Sequence, residues 1–277
     1  MKYHEGFFDG VRGSQIYHQS WTPDGEAKAA LLLVHGLAEH SGRYMNIIDH
    51  FVPLDYAVYG IDHLGHGKSD GRRVFVQSFD DYSVTLEIFL AMLRTWQPGK
   101  QIFMVGHSMG GLIAPLFALT HQDDLAGLII SAPLSKVPEY IPPLIVAVGR
   151  VLSAILPTVG IQDIDADGVS RDPAVVKAYD EDPLVYRGKT TARLAAELLA
   201  AMQQLQIDAA EIKLPVLVMQ GSMDKLVDPD CAHVLHNALG SEDKTLKVYP
   251  GLFHEIFNEP ERDQVFADMQ TWLEAHF

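Results

Sequence analysis

A chain of 277 residues with 48% hydrophobic and 21% charged side chains is long enough to bury one large core and has the composition of a globular protein. Its 21 basic and 36 acidic residues leave a formal charge of −15, and no lysine or arginine cluster is visible, which argues against a nucleic-acid partner. The single cysteine, Cys231, excludes an intrachain disulfide and a cysteine-based zinc site.

The N-terminal stretch MKYHEGFFDG lacks the apolar core of a signal peptide, so a cytoplasmic protein is expected. SQIYHQSW (14–21) reads as an antiparallel edge strand. AALLLVHG (29–36), YAVYGID (56–62), QIFMVGH (101–107), LAGLIIS (125–131) and LPVLVMQG (214–221) are short apolar runs that end in turn residues. That is the pattern of strands buried on both faces of a parallel sheet. TLKVYPG (245–251) reads as a sixth. Helical patterns fall at 42–52, 78–96, 108–121 and 261–277, so the alternation predicts a mostly parallel, doubly wound α/β sheet with helices on both faces.

The alternation breaks between about Ser131 and Leu214. This stretch holds no convincing strand but two helical patterns, an apolar one at 143–156 and another at 190–206 with Leu194, Leu198, Met202 and Leu205 on one face. It is expected to form a helical cap over the carboxyl ends of the strands, where open α/β sheets bind ligands. The chain then divides into a core at 1–133, a cap at 134–210 and a second part of the core at 211–277. The most apolar run, 141–161, is interrupted by Pro142, Pro143, Arg150 and Pro157 and makes a poor transmembrane helix.

VGHSMGG (105–111) follows the strand IFMV and opens a helix, the context of a nucleophile elbow. Ser108 is the candidate nucleophile, with Gly106 and Gly110 allowing close backbone approach. A phosphate loop would need a G-x-x-x-x-G-K-[ST] pattern, which is absent. Pro115 is expected to kink the helix that follows.

A serine hydroxyl needs a base within hydrogen-bond reach, and with an elbow of this kind the acid and then the histidine follow the serine in the chain. His254 directly follows the last strand, whereas His233 and His236 lie in a predicted helix and His276 is terminal. For the acid, GSMDKLVD offers Asp224 and Asp228. Asp228 precedes Pro229 and looks like a helix N-cap, which favours Asp224. The backbone N–H groups of Met109 and Leu37 are the expected oxyanion donors. Asp62, His63 and His66 do not assemble a complete metal shell by their spacing, and neither metal nor cofactor is expected. Cys231, on a predicted helix without a basic neighbour in sequence, reads as inert.

HGLAEHSGRY (35–44), DHLGHGKSDGRR (62–73), GHSMGG (106–111), DPLVYRG (182–188), LPVLVMQGSMDKLVD (214–228) and EDKTLKVYPGLFHEIFNE (242–259) resemble, in order, the blocks of the monoglyceride lipase and lysophospholipase-like group of α/β-hydrolases. The resemblance runs from about residue 10 to the C-terminus. It implies an α/β-hydrolase fold with a helical cap, a Ser108–His254–Asp224 triad, oxyanion donors at Leu37 and Met109, and a lipid ester substrate, a monoacylglycerol first of all. It also implies that the cap roofs an acyl-chain tunnel; because 143–156 is apolar almost all round and carries no basic face, this stretch is expected to line the tunnel and to make transient contact with neutral lipid aggregates.

Glu39 and Arg43 match positions of a polar pocket for the glycerol end, or else form an ion pair that steadies the oxyanion loop. One departure is Phe257, where mammalian members carry a further histidine. The alternatives are a lysophospholipase, a short- or medium-chain carboxylesterase, a serine aminopeptidase anchoring its substrate amine on Asp163, Asp165 or Asp167, and a non-catalytic binding relative.

Overall fold

A computed structural model describes residues 1–137, 153–163 and 168–277. Its centre is an eight-stranded sheet in the order β1 (Lys2–Asp9), β2 (Gln15–Thr22), β4 (Tyr56–Ile61), β3 (Ala29–Val34), β5 (Ile102–His107), β6 (Gly127–Ser131), β9 (Val216–Gly221) and β10 (Lys244–Tyr249). Only β2 runs against the others in this sheet. The strand expected at 14–21 is therefore antiparallel but not an edge, because β1 pairs along its outer side. β1 escaped the sequence reading because it is mostly exposed, with Phe8 its one buried side chain, and so lacks an apolar run.

Strand periodicity sends alternate side chains to opposite faces, and each face buries its own core. Ala30, Leu32 and Val34 of β3 and Met104 of β5 join one core, built with α2 (Asp80–Trp96) and α3 (Gly110–His121). Ala29, Leu31 and Leu33 together with Phe103 and Val105 join the other, built with α1 (Met45–Phe51) and the C-terminal helix Arg262–Glu274. Burial on both faces explains the continuous apolar runs. α3 continues through Pro115 to His121.

Between β6 and β9 the described residues include a strand pair missed in the sequence, β7 (Gly160–Asp163) with β8 (Lys189–Thr191), antiparallel. At three or four residues each, they are too short to show a period of two. Two helices follow β7, at Pro173–Glu181 and Ala192–Asp208. The second buries Leu194, Leu198, Met202 and Leu205 in the first core, the face expected from their spacing. Of the helix expected at 143–156, residues 143–152 lie outside the described residues, as do Asp165 and Asp167. Among the described residues no helix is long and apolar enough to cross a membrane.

In the sheet β3 has β4 on one side and β5 on the other, so consecutive connections leave in opposite directions at β3 and β5. Such a switch point opens a crevice at the carboxyl ends of the strands.

Candidate active site

Ser108 stands at that crevice, one residue past β5, with φ +55. The left-handed region is costly for a residue with a side chain and persists only where its surroundings hold it. Here the Ser108 N–H donates to Ser131 O at 2.9 Å. The flanking glycines permit the turn. A Cβ on Gly106 would lie 2.3 Å from Gly110 O, and one on Gly110 would lie 1.8 Å from Val34 O. Gly36 plays the same part across the crevice, since its Cβ would meet the Cβ of Ser108 at 3.2 Å. The loop carrying Leu37 is thus packed against the serine. Among the described residues the N–H groups of Leu37 and Met109 take no hydrogen-bond partner, so both remain free to receive a developing negative charge.

His254 follows β10 and meets Asp224, which follows β9; its Nδ1–H donates to Asp224 Oδ2 at 2.7 Å. The two loops touch closely, as a Cβ on Gly221 would lie 2.2 Å from Phe253 O. Asp224 is satisfied at both oxygens. Oδ2 also accepts from Gln220 Nε2 at 2.8 Å, and Oδ1 accepts the N–H groups of Leu226 and Val227 at 2.8 and 2.9 Å. Burial pushes the Asp224 carboxyl up, but the imidazole and these N–H donors outweigh it and hold the group below the usual carboxylate range. Burial pushes His254 down, and the charge and hydrogen bond of Asp224 outweigh that, so His254 is raised above the usual histidine range.

Asp228 goes elsewhere: its side chain is 60% exposed, and Oδ1 accepts the N–H of Asp230 at the start of the helix Asp230–Ala238. That is capping. His233 and His236 sit on the same helix, away from the crevice, and His276 pairs with Asp243. The Ser108 hydroxyl makes no hydrogen bond among the described residues.

Glu39 is buried and Arg43, with its side chain 9% exposed, nearly so, and the two are bonded to each other and to their surroundings. Glu39 Oε1 accepts from Gly36 N–H at 2.6 Å and Tyr44 Oη–H at 2.7 Å, while Oε2 accepts from Arg43 Nη1 at 3.1 Å. The Arg43 fork also closes on Glu255 at 2.5 and 3.0 Å, and its face lies 4.5 Å from the Tyr179 ring. Glu255 and Glu39 hold the guanidinium charged against the cost of its burial. Removing Arg43 would leave two buried carboxylates without their cation, at a cost of about 3–5 kcal/mol. The cavity beside this network, bounded by His107 and Phe257, measures about 10 Å³, the room of a single water rather than of a glycerol moiety. Phe257 fills the space by stacking on Phe266.

Sequence reasoning missed Glu255, Glu259, Arg171 and Gln220. The only local signal was two carboxylates in HEIFNE, immediately after His254, in a stretch whose neighbours are apolar.

His35, His63 and His66 form a second buried cluster, with ring centroids of His35 and His63 4.2 Å apart. His35 donates from Nδ1 to Gly36 O and accepts the His63 N–H at Nε2, at 2.8 and 2.9 Å. Burial pushes His35 down to about 4 and His66 to about 3, so both are neutral. No group of side chains among the described residues has the geometry to hold a metal ion.

A serine held in the left-handed region, a histidine paired to a buried carboxylate and two free N–H donors at one crevice make up the equipment of acyl transfer. Residues 25–261 match the family described as serine aminopeptidase, S33. The chain belongs to this family of α/β-hydrolases.

It is 36% identical over 272 residues to a monoacylglycerol lipase of Mycolicibacterium smegmatis, covering 98% of this chain and 97% of that one. It is 34% identical over 264 residues to the human monoglyceride lipase, covering 94% and 87%. Among solved structures, the monoacylglycerol lipase of Paleococcus ferrophilus superposes with a TM-score of 0.82 at 32% identity, covering 100% of both chains. The architecture is the α/β-hydrolase fold, and the protein is a serine hydrolase.

Proposed function

We propose that this hydrolase cleaves monoacylglycerols to a fatty acid and glycerol. Ser108 Oγ attacks the ester carbonyl while His254 Nε2 takes its proton, and Asp224 keeps the proton of Nδ1 in place and stabilises the imidazolium. The N–H groups of Leu37 and Met109 stabilise the tetrahedral oxyanion. His254 then protonates the departing glycerol oxygen, and water, deprotonated by the same histidine, releases the fatty acid from Ser108. The observation that carries the reading is the His254–Asp224 hydrogen bond of 2.7 Å beside a serine held at φ +55. Full-length similarity to monoacylglycerol lipases supports the substrate class.

Residues 134–210 act in this reading as the cap over the acyl chain. Ile155, Leu156, Val159 and Ile161, exposed at 70, 50, 42 and 43%, support transient contact of that segment with neutral lipid. Liposome co-sedimentation checks this: Ile155→Asp should reduce partitioning onto neutral vesicles, and unchanged partitioning would remove the lipid-contact claim.

Release of fatty acid from a monoacylglycerol, lost in Ser108→Ala together with labelling by a fluorophosphonate, is the expected result. Faster turnover of lysophosphatidylcholine, of a short p-nitrophenyl ester or of an amino-acid anilide would replace the substrate assignment with the corresponding alternative. Labelling that persists in Ser108→Ala would overturn the nucleophile.

A further inference from the structure

The loop that carries His254 hangs from a short stretch of the insertion, Gly168–Asp172, through a carboxylate that no step of the proposed mechanism uses. Glu259 is fully buried. Its Oε1 accepts from Ser170 Oγ at 2.5 Å and from Arg171 N–H at 2.6 Å, and its Oε2 accepts from Arg171 Nε at 2.6 Å. The same Oε2 accepts the N–H of Phe253, the residue before His254, at 3.4 Å. On the other side of His254, the Glu255 N–H donates to Val169 O at 2.8 Å. Arg171 reaches on to Glu261 through Nη2.

Both neighbours of the base are therefore tied, directly or through Glu259, to Val169–Arg171. The stretch also leans on the acid. Val169 packs with Tyr179, Val185 and Leu226 in a small apolar cluster, and the Leu226 N–H is one of the donors to Asp224.

A wholly buried carboxylate is poor equipment for stability alone, since an apolar side chain of similar volume often does as well or better. What a carboxylate adds is direction: it fixes several donors at once, with short charge-assisted bonds. The donors fixed here belong to both partners of the junction, the insertion and the base loop.

We infer that Glu259, acting through Ser170 and Arg171, is a positioning residue for His254, setting the imidazole against Ser108 by anchoring its loop to the insertion. This rests on the reading of His254 as the base.

The test is made on the full chain with Glu259→Gln, Arg171→Lys and Ser170→Ala. Turnover of p-nitrophenyl butyrate and of a monoacylglycerol is normalised to active sites counted by the p-nitrophenol burst. A misplacement of the base by an ångström predicts a fall in kcat per titrated site of about 10- to 100-fold in Glu259→Gln. KM should stay within about threefold, because no contact with substrate is removed. The downfield Nδ1 proton resonance of His254 should shift or broaden, and Arg171→Lys, which keeps charge but not the planar fork, should lie between wild type and Glu259→Gln.

A purely structural role would lower the melting temperature and the number of titratable sites, leaving kcat per site and the resonance unmoved; that result overturns the inference. If Glu259→Gln does not fold, Arg171→Lys and Ser170→Ala are judged by the same two readouts. Ser108→Ala and His254→Ala run alongside. Wild-type turnover in either would sink the reading of the site itself, whereas loss of turnover in both with a silent Glu259 series sinks only the positioning role.

Discussion

His107 and His254 lie side by side, ring centroids 4.7 Å apart and both buried, yet they are pushed toward opposite charge states. Burial pushes His107 well down, helped by the charges of His254 and Arg43, and among the described residues its Nδ1 meets only the hydroxyl of Ser131. The cluster of His35, His63 and His66 behaves like His107. His254 alone among these buried histidines has a carboxylate at hydrogen-bond distance, and it alone is raised. Desolvation is the common background, and at His254 the charge and hydrogen bond of Asp224, with the charges of Glu255 and Glu39 behind them, reverse it. The chemistry of the site therefore depends less on having a buried histidine than on which loop delivers the carboxylate.

The largest way to break this contrast is Asp224→Asn, which would make His254 resemble His107. Turnover should fall about 10⁴-fold, as expected when the orienting acid is lost and the wrong tautomer is favoured. Steady-state kinetics per folded molecule decides it, and near-normal turnover would remove Asp224 from its role.

The pH profile sharpens the contrast without a mutation. The base works only when neutral, so the acid limb of kcat/KM should be half-developed above pH 6.5, because the pairing with Asp224 raises His254. A limb below that value would assign the titration to some other group.

Stability should also fall on the acid side, through the histidine cluster. His35, His63 and His66 have lowered folded-state values, so as pH falls below the unfolded value of 6.5 the unfolded chain takes up protons first. Stability is then fully present above that pH and is lost as pH falls toward the folded values, about 4 for His35 and about 3 for His66. Neither ring nitrogen of His63 has a hydrogen-bond partner among the described residues, so His63→Leu should reduce the loss of melting temperature between pH 7 and pH 5 while barely changing turnover. An unchanged pH dependence would show that His63 contributes nothing to it.

The smallest effect is expected at the other aspartate. Asp228→Ala removes the side-chain hydrogen bond to the Asp230 N–H and should cost about 1 kcal/mol in denaturant unfolding, with kcat intact. A large loss of kcat there would reverse the choice between the two acids.

The serine, its elbow and the His254 loop were legible because each is a local pattern, a strand ending in turn residues at a set place in the chain order. That Asp224 rather than Asp228 would meet His254 was legible too, since proline after Asp228 marks a helix start there. The edge strand β1 was not, because exposed side chains leave no apolar period to read. Nor was the fate of Arg43, which pairs with a glutamate 212 residues away. Spacing along a chain reports which face of an element is apolar, since that follows from helix and strand periods of a few residues. It carries no record of which charges meet across loops distant in sequence. Glu39, Arg43 and Glu255 became one network, and Glu259 a bridge between the insertion and the base, only when the sheet brought the ends of β3, β9 and β10 to a single crevice.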